Sequence, residues 1–363
     1  MQENSTMNAI VINQMQSNDD SRSFRDTVVD RPAQPQHRDL LVRVHAISIN
    51  PVDTKIRASM GSQPASETPR ILGWDAVGDV VEVGSEARLF HAGERVWYAG
   101  DITRQGSYAE YQLVDERIVG HAPTSLDDAH AAAMPLTSLT AWEALFDKLG
   151  IEHDSHPATI SPTSTQAIDT SQRQTLLVVG AAGGVGSMVI QLAHRLTTLR
   201  IIALASRDES QQWALDMGAD EVVDYHEGNL ARQIQALAPA GIDWIFSAYS
   251  KGNIELYNTV MKPFGEIVAI DDENDLDWYC LKDKALSWHW EFMFARAKHH
   301  APDMVRQHEI LDAVAELVDL GIIRSTLARQ LGPVNAESID KAHRMVKSGH
   351  MVGKVAISGT SPE

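Results

Sequence analysis

A glycine cluster between residues 180 and 186 gives the clearest chemical signal in the sequence. An apolar run over 175–179 leads directly into it, and a helical pattern follows at once. Glycines allow a tight turn that approaches a diphosphate closely, and the N-terminus of the next helix offers N–H groups and a partial positive charge. Ala181 replaces the first glycine of the G-x-G-x-x-G pattern, but the strand, turn and helix context is satisfied. The residues predicted to bind a dinucleotide are Gly180, Ala182, Gly183, Gly184, Val185 and Gly186.

The residues after the second predicted strand bear on the identity of the dinucleotide. An NAD-binding protein places Asp or Glu there to hold the ribose 2′-hydroxyl. This strand instead ends in Ser206 and Arg207, which suit a 2′-phosphate, and Tyr225 after the third strand is a further lining residue. Asp208 is the rival ribose ligand, although its place before a helical segment also suits a helix cap. We therefore expect NADPH rather than NADH.

Residues 175–270 alternate apolar runs with helical patterns, which is typical of a parallel sheet covered on both faces. The sequence therefore predicts a doubly wound α/β nucleotide-binding domain. Its predicted strands span 175–179, 200–205, 221–224, 243–247 and 265–270, and its predicted helices span 186–196, 208–217, 229–237 and 253–261.

The first 145 residues read differently, as short strands punctuated by Gly and Pro without a long helix. Strands are predicted over 40–49, 76–83, 95–98 and 107–114, a helix over 135–149, and an exposed excursion over 152–174. Further helices over 308–320 and 338–347 precede a closing strand over 353–357. We expect a β-rich domain of residues 1–145, completed by about 310–363, and a nucleotide-binding domain of residues 146–309.

Composition limits the classes of function. The formal charge of −18 opposes binding to nucleic acid and to anionic membranes. No apolar run reaches the roughly 18–20 residues that cross a bilayer, and the N-terminal segment lacks the pattern of a signal peptide. Cys280 is the only cysteine, so no intramolecular disulfide forms, which fits a reducing cytoplasm. We expect a cytoplasmic protein that acts on a small molecule.

Several short motifs, in this order and spacing, resemble the medium-chain dehydrogenase/reductase superfamily, and most closely its zinc-free quinone oxidoreductase branch. Besides the glycine cluster, they are NPVDTKIR at 50–57, GWDAVG at 73–78, GERV at 93–96, GSYAEY at 106–111, KAH at 341–343 and GKV at 353–355. The resemblance implies a GroES-like substrate domain, a Rossmann domain and a cleft between them. It also implies that Thr140 lies by the nicotinamide and that two Rossmann sheets pair in a homodimer. We expect Ser247, Ile270 and Lys354 to complete the cofactor contacts.

The same resemblance shows where zinc ligands would stand. Zinc alcohol dehydrogenases of this superfamily carry a cysteine where this chain has Asn50, and a His-Glu pair where it has Trp74 and Asp75. The loop of four cysteines that holds structural zinc has no counterpart here. The remaining histidines, including His289, His299 and His300, fall outside the motif. We therefore expect chemistry without a metal.

Without a Lewis acid, the favoured substrates are those that accept hydride readily, such as quinones and α,β-unsaturated carbonyls. The candidate catalytic residues are Asn50, as a donor to the substrate oxygen, Lys55, as a stabiliser of negative charge or a proton relay, and Asp53, as an orienting group. Asp53 as a structural partner of Arg57 or of a backbone turn is the alternative. Water as the proton donor would leave no single side chain essential.

Two other functions remain open, namely an NADPH-binding redox sensor without turnover and an alcohol dehydrogenase with an atypical metal site. An aromatic group near the C-terminal third also has two interpretations. Its alternating spacing favours core or subunit-interface packing over a substrate wall. The group consists of Trp288, Trp290, Phe292 and Phe294.

Overall fold

The structure is a computed structural model that describes residues 5–12, 24–60, 69–154 and 173–359. Most of the excursion predicted at 152–174 therefore lies outside the described residues. In chain order the elements are β1 (Thr6–Ile12), β2 (Phe24–Asp30), β3 (Asp39–Ile49), α1 (Pro51–Ser59), β4 (Ala76–Val83), β5 (Arg95–Tyr98), β6 (Tyr111–Asp115), β7 (Val119–His121), α2 (Asp128–Ala132), α3 (Pro135–Trp142), β8 (Thr175–Val179), α4 (Gly184–Leu196), β9 (Arg200–Leu204), α5 (Asp208–Met217), β10 (Glu221–Val223), α6 (Leu230–Leu237), β11 (Ile242–Ser247), α7 (Ile254–Val260), β12 (Met261–Ala269), β13 (Ser287–Trp290), α8 (Ala295–Lys298), α9 (Arg306–Asp319), β14 (Leu327–Leu331), α10 (Ala336–Lys347) and β15 (Lys354–Ser358). A π-helical turn at Glu143–Lys148 continues α3.

The chain divides into two compact units. Unit 1 contains Met1–Leu136, Phe294–Asp319 and Ser325–Glu363, and unit 2 contains Thr137–Met293 and Leu320–Arg324. These divisions fall earlier than the boundaries at 145 and 310 that the sequence suggested.

Polar contacts explain why α9 belongs to unit 1. Asp312 Oδ1 accepts the backbone N–H of His121 at 2.7 Å. Near the end of the helix, the Asp319 carboxylate accepts the backbone N–H groups of Thr124 at 3.0 Å and Ser125 at 2.8 Å. The amphipathic pattern of this helix predicted its existence, but not the strands on which it packs.

Unit 1 is built on a seven-stranded sheet in the order β14-β15-β3-β4-β5-β7, with β6 also paired to β3. The final strand β15 runs antiparallel to β3, so the C-terminal residues complete the N-terminal sheet as expected. The core under this sheet is apolar and fully buried, and each large side chain contributes roughly 1.5–3 kcal/mol by leaving water. Its members include Leu40, Val42, Val80, Phe90, Val96 and Tyr98.

Unit 2 contains the predicted doubly wound sheet. Six strands lie in the order β10-β9-β8-β11-β12-β13, and every neighbouring pair is parallel. The five predicted strands are all present, and β13 adds an edge strand from the aromatic-rich segment. Because helices cover both faces, strands such as β8 are buried along their whole length.

Several elements escaped the sequence analysis. The paired strands β1 and β2 form a separate two-stranded sheet, and β14 and α1 were also not predicted. The strand expected over 107–114 begins only at Tyr111. Within the residues that the structure covers, no helix has the length and apolar character needed to cross a membrane.

Candidate functional site

The glycine turn lies where the strand order of unit 2 reverses. From β8 the chain continues to β9 and β10 on one side of the sheet, and it then places β11 and β12 on the other side. The carboxyl ends of β8 and β11 therefore meet at this point, which is where open α/β sheets bind their ligands. The structure thus places the predicted dinucleotide-binding turn at the expected position in the sheet.

Two glycines of the turn occupy positions that a side chain would disrupt. Gly180 has a φ of 86°, in the left-handed region that favours glycine. A Cβ on Gly186 would lie 2.3 Å from the carbonyl oxygen of Gly180 and 2.9 Å from the Cα of Ala181. The start of α4 can therefore pack closely against the end of β8, as a diphosphate-binding turn requires.

No side chain caps the N-terminus of α4. Its N-cap residue is Gly183, and its first turn contains no acidic residue. The turn is braced from the helix side, because Ser187 Oγ donates to the Gly183 carbonyl at 2.7 Å and Trp213 Nε1 donates to Ser187 Oγ at 2.8 Å. The partial positive charge of the helix end is thus left for a ligand, and the residues fit a dinucleotide diphosphate.

Ser206, Arg207 and Tyr225 lie just beyond the carboxyl ends of the neighbouring strands β9 and β10. Arg207 is exposed and is the N-cap residue of α5, where its backbone N–H donates to Ser210 Oγ at 3.1 Å. The alternative role of Asp208 as the cap is therefore wrong, since Asp208 is the first residue inside the helix. Its carboxylate lies in the first turn, where it interacts favourably with the helix dipole.

Ser247 and Ile270 lie at the carboxyl ends of β11 and β12. The Ser247 hydroxyl is already engaged, at 2.7 Å from the Tyr257 hydroxyl and 3.2 Å from Ser250 Oγ. The Ile270 backbone N–H donates to the Ser247 carbonyl at 3.0 Å. Thr140 is buried within α3, with 5% of its surface exposed.

Tyr249 is a residue of this edge that the sequence analysis missed. Its side chain is 59% exposed, and its ring lies against the glycine turn, because a Cβ on Gly180 would meet Tyr249 Cε2 at 3.2 Å. Its position just after β11 was the available signal, since loops that follow parallel strands line the ligand edge.

In unit 1, Asn50, Asp75 and Lys354 form a cluster that we call the buried polar centre. Lys354 Nζ donates to Asn50 Oδ1 at 2.5 Å, to the Ile49 carbonyl at 2.8 Å and to Asp75 Oδ2 at 3.2 Å. Asn50 Nδ2 donates to the same Asp75 oxygen at 2.7 Å. All three residues are at least nine-tenths buried. The structure thus places Lys354, predicted as a cofactor contact, inside unit 1.

The topology of the sheet brings these residues together. Asn50 directly follows β3, Asp75 directly precedes β4, and Lys354 begins β15. Because β3 lies between β15 and β4 in antiparallel pairing, these three positions meet at one end of the sheet. Asp75 Oδ1 also accepts the Leu136 backbone N–H at 2.8 Å. Burial raises the pKa of Asp75 and lowers that of Lys354, but every group directed at Asp75 is a donor, which suits a carboxylate.

Asp53 lies beside this centre and is fully buried. Its Oδ2 accepts the Asn50 backbone N–H at 2.6 Å. Burial raises its pKa from 3.8 to about 7, and the charge of Asp75 adds to the rise, whereas the Asn50 N–H and the Lys354 ammonium oppose it. The centre and Asp53 together hold two carboxyl groups beside one lysine, and burial raises the pKa of both carboxyls.

The structure also places the other residues that the sequence analysis linked to catalysis. Arg57 pairs with Asp340 at 2.9 Å, and Asp53 accepts a backbone N–H of the turn before α1, as in the backbone-turn alternative. Lys55 is exposed on α1. Asn50, expected to donate to a substrate oxygen, has both ends of its carboxamide engaged within the buried polar centre.

The remaining candidates are three histidines and the aromatic group. His289 bonds Glu266 at 2.8 Å, and His299 and His300 are exposed at the end of α8. Trp288 packs edge-on against Trp278 at 4.4 Å between ring centroids. The other three residues of the aromatic group differ in exposure. Trp290 and Phe292 are 46% and 43% exposed, whereas Phe294 is buried.

Comparison with known proteins identifies the family. Residues 36–124 match the alcohol dehydrogenase GroES-like domain, and residues 217–357 match the zinc-binding dehydrogenase family. A zinc-type alcohol dehydrogenase-like protein of Staphylococcus epidermidis is 36% identical over 94% of this chain and 96% of its own length. This chain belongs to the medium-chain dehydrogenase/reductase superfamily.

Further members support an oxidoreductase with a nicotinamide cofactor. The mitochondrial NAD(P)H oxidoreductase RTN4IP1 of Homo sapiens is 29% identical over 88% of this chain and 81% of its own length. A Rhizobium etli protein named as a zinc-dependent alcohol dehydrogenase superposes with a TM-score of 0.86 at 40% identity, over 98% of this chain and 99% of that one. The quinone oxidoreductase of Escherichia coli complexed with NADPH shares the fold, with a TM-score of 0.75 at 20% identity over 97% and 100% of the two chains.

Some of these names imply zinc, but the residues present do not fit a catalytic zinc. Asn50 and Trp74 stand at two of the positions of the superfamily's zinc ligands, and neither a carboxamide nor an indole is a zinc donor. Trp74 Nε1 donates to the Asp101 carbonyl at 3.2 Å, and the Lys354 ammonium already occupies oxygens of Asn50 and Asp75. Across the described parts of the chain, no three His, Cys, Asp or Glu side chains are grouped so as to hold a metal ion.

Removing Lys354 alone should destabilise the fold more than removing the charges of Lys354 and Asp75 together. Lys354→Met strands a buried carboxylate, so we expect a loss of about 3–5 kcal/mol in the free energy of unfolding. Adding Asp75→Asn removes that charge and should recover at least about 1 kcal/mol. Urea unfolding measures each variant, with Lys251→Met on the exposed Lys251–Glu273 pair as the control, expected to cost under about 0.5 kcal/mol. Strictly additive losses in the double variant would contradict the pairing.

Asp53→Asn should alter how stability depends on pH. The folded-state pKa of about 7 lies above the unfolded value of 3.8, so the contribution of Asp53 is greatest at low pH and is lost as pH rises through this window. We expect wild type to lose roughly 3 kcal/mol relative to the variant between about pH 4 and pH 7. Urea unfolding across this range tests the difference. Parallel stability profiles for the two proteins would show that Asp53 ionises normally.

Proposed function

We propose that this protein is an NADPH-dependent reductase that transfers hydride to a quinone or an α,β-unsaturated carbonyl compound without a catalytic metal. The observation that carries the proposal is the Lys354 ammonium bound to Asn50 and Asp75 at the positions of the superfamily's zinc ligands. A pocket without a Lewis acid is poorly suited to generating an alkoxide from an unactivated alcohol. Acceptors that are already electrophilic do not need that assistance.

The cofactor part of the proposal rests on unit 2. The turn at 180–186 would hold the diphosphate through backbone N–H groups and the α4 dipole. Ser206 and the exposed guanidinium of Arg207 would bind the 2′-phosphate, with Tyr225 beside them. Reduced nicotinamide, when bound, supplies the hydride.

The catalytic part rests on unit 1. The carboxamide of Asn50 is hydrogen-bonded to Asp75 and Lys354, so we assign Asn50 a positioning role. Lys55 is the exposed cation of the same loop and helix, and it is suited to stabilising negative charge that develops on the acceptor. Asp53 holds a proton next to this centre.

We also propose a homodimer. The edge strand β13 of unit 2 carries the exposed Trp290, and Phe292 follows it. Unpaired edges and exposed aromatic side chains are features that subunit contacts cover. Sedimentation analysis tests this point separately from the activity.

NADPH oxidation against a panel of quinones, enones and simple alcohols and ketones tests the function. We expect turnover with quinones or enones that survives prolonged chelation, with no stoichiometric zinc in the purified protein. Zinc lost together with activity would instead support an alcohol dehydrogenase with an atypical metal site. Tight NADPH binding without oxidation by any acceptor would favour the redox sensor.

Arg207→Ala should separate the two nicotinamide cofactors. Loss of charge-assisted hydrogen bonds worth about 1.5–3 kcal/mol should weaken NADPH binding roughly 10- to 100-fold and leave NADH binding nearly unchanged. Fluorescence titration with each cofactor measures the effect. Arg195→Ala, at the opposite end of α4 from the glycine turn, is the control. Equal losses for both cofactors would show that Arg207 does not read the 2′-phosphate.

A further inference from the structure

Trp213 links the helix that follows the glycine turn to the next helix along the chain. Its Nε1 donates to Ser187 Oγ at 2.8 Å, and Ser187 Oγ donates to the Gly183 carbonyl at 2.7 Å. Ser187 is completely buried, and Trp213 is half-buried. A serine hydroxyl has one proton, and the Trp213 N–H occupies the acceptor side of Oγ, so that proton is directed at Gly183. We call these three residues the indole bridge.

One end of the indole bridge is the glycine turn itself. Gly183 is the N-cap residue of α4, and its carbonyl also accepts the Ser187 backbone N–H at 2.9 Å. Its own N–H donates to the Gly180 carbonyl at 3.2 Å. The bridge therefore helps to fix the first turn of α4, whose N–H groups would bind the diphosphate.

The other end of the bridge is α5, which carries the residues predicted to bind the 2′-phosphate. Ser210 Oγ accepts the Arg207 backbone N–H at 3.1 Å and donates to the Arg207 carbonyl at 2.8 Å. Gln211 Nε2 donates at 3.4 Å to Asp224 Oδ2, in the residue before Tyr225. Because side chains of α5 make these contacts, the positions of Arg207 and of the segment at Tyr225 depend on the position of α5.

Other contacts join α4 and α5 farther from the glycine turn. A Cβ on Gly218, the C-cap residue of α5, would lie 2.6 Å from His194 Cγ on α4. The Arg324 backbone N–H donates to Gln191 Oε1 at 2.9 Å, and its guanidinium donates to the Asp216 carbonyl at 3.3 Å. These contacts lie in the C-terminal halves of the two helices, whereas the indole bridge lies at the first turn of α4. Loss of the bridge would therefore let the helices separate at the end where the cofactor is expected.

We propose that Trp213 is a specificity-determining positioning residue that fixes the spacing between the diphosphate-binding turn and the 2′-phosphate residues. The proposal rests on the function proposed above, because it takes the glycine turn and Arg207 as the two points that hold NADPH. A ligand that binds at two points gains affinity from the second only when both are held at the matching separation. NADPH uses both points, whereas NADH lacks the 2′-phosphate and uses only the first. Trp213 thus favours NADPH through the placement of Arg207, without a charge of its own.

Trp213→Phe tests the proposal, because it removes the bridging N–H and keeps an aromatic ring on α5. By isothermal titration calorimetry, we expect the affinity for NADPH to fall about 10-fold and that for NADH to fall less than about threefold. ADP-ribose and its 2′-phosphorylated form should show the same contrast, since they differ only in the 2′-phosphate and lack the nicotinamide. The contrast is therefore measured without turnover.

Trp288→Phe is the matched control. Trp288 is also half-buried in unit 2, and its Nε1 has no hydrogen-bond partner among the described residues. This variant loses a similar side-chain volume and no hydrogen bond. It should leave the ratio of the NADPH and NADH affinities unchanged.

Ser187→Ala removes the same bridge from its other side, and it replaces Trp213→Phe if that variant fails to fold. The double variant should lower the ratio of NADPH to NADH affinity no further than either single change, because both act through one hydrogen bond. Losses in this ratio that multiply in the double variant would contradict a shared path.

The outcomes separate this proposal from the proposed function. Equal losses for both cofactors in Trp213→Phe, or no loss, would overturn the role of Trp213, since a residue that only stabilises the glycine turn affects both cofactors alike. The expected contrast in a protein that oxidises NADPH with no acceptor would support the role of Trp213 and refute the reductase function. A wild-type protein that does not prefer NADPH would refute the cofactor assignment and the role of Trp213 together.

Discussion

The attraction between the buried ammonium of Lys354 and the oxygens of Asp75 and Asn50 is the constraint on which the rest of unit 1 depends. It joins the end of β3, the start of β4 and the start of β15 at one edge of the sheet. A buried charge without a partner costs several kcal/mol, so each of these segments must be in place for the others to remain stable. The same ammonium occupies the oxygens that a metal would need, which ties the architecture of the sheet to the kind of chemistry available.

This constraint also explains the state of Asp53. With one nearby lysine and a second carboxyl already paired to it, Asp53 loses its proton less readily at its fully buried position. Burial is the dominant cause of its raised pKa, and the neighbouring charge of Asp75 reinforces it. The raised pKa of Asp53 is therefore a consequence of burying this carboxyl beside Asp75 and a single lysine. The reductase chemistry proposed above is compatible with this arrangement.

The sequence predicted what is local. The turn after β8, the start of α5 near Arg207 and the alternation of strands and helices in unit 2 all depend on neighbours along the chain, and most of their bounds agree within a few residues. The role of Asp208 was wrong because the cap lies one residue earlier. The strands β1 and β2 escaped prediction because their residues pair with each other rather than through a recognisable turn.

The sequence could not reveal contacts between distant segments. Lys354 was assigned to the cofactor because its motif is shared with the superfamily, whereas its side chain contacts residues about 300 positions earlier in the chain. Tyr108 and His343 stood in quoted motifs, but nothing in their spacing indicated that α10 brings them together. The placement of α9 in unit 1 likewise depends on its acidic side chains meeting backbone N–H groups of the first sheet.

The central claim is that a charged lysine holds the buried polar centre. Nitrogen-15 NMR of lysine-labelled protein, with the Lys354 signal assigned by its absence in Lys354→Arg, tests this directly. The account predicts an ammonium signal at neutral pH whose protons exchange slowly with solvent and couple to a carboxylate. A neutral amine signal, or ammonium protons that exchange as fast as those of surface lysines, would contradict it.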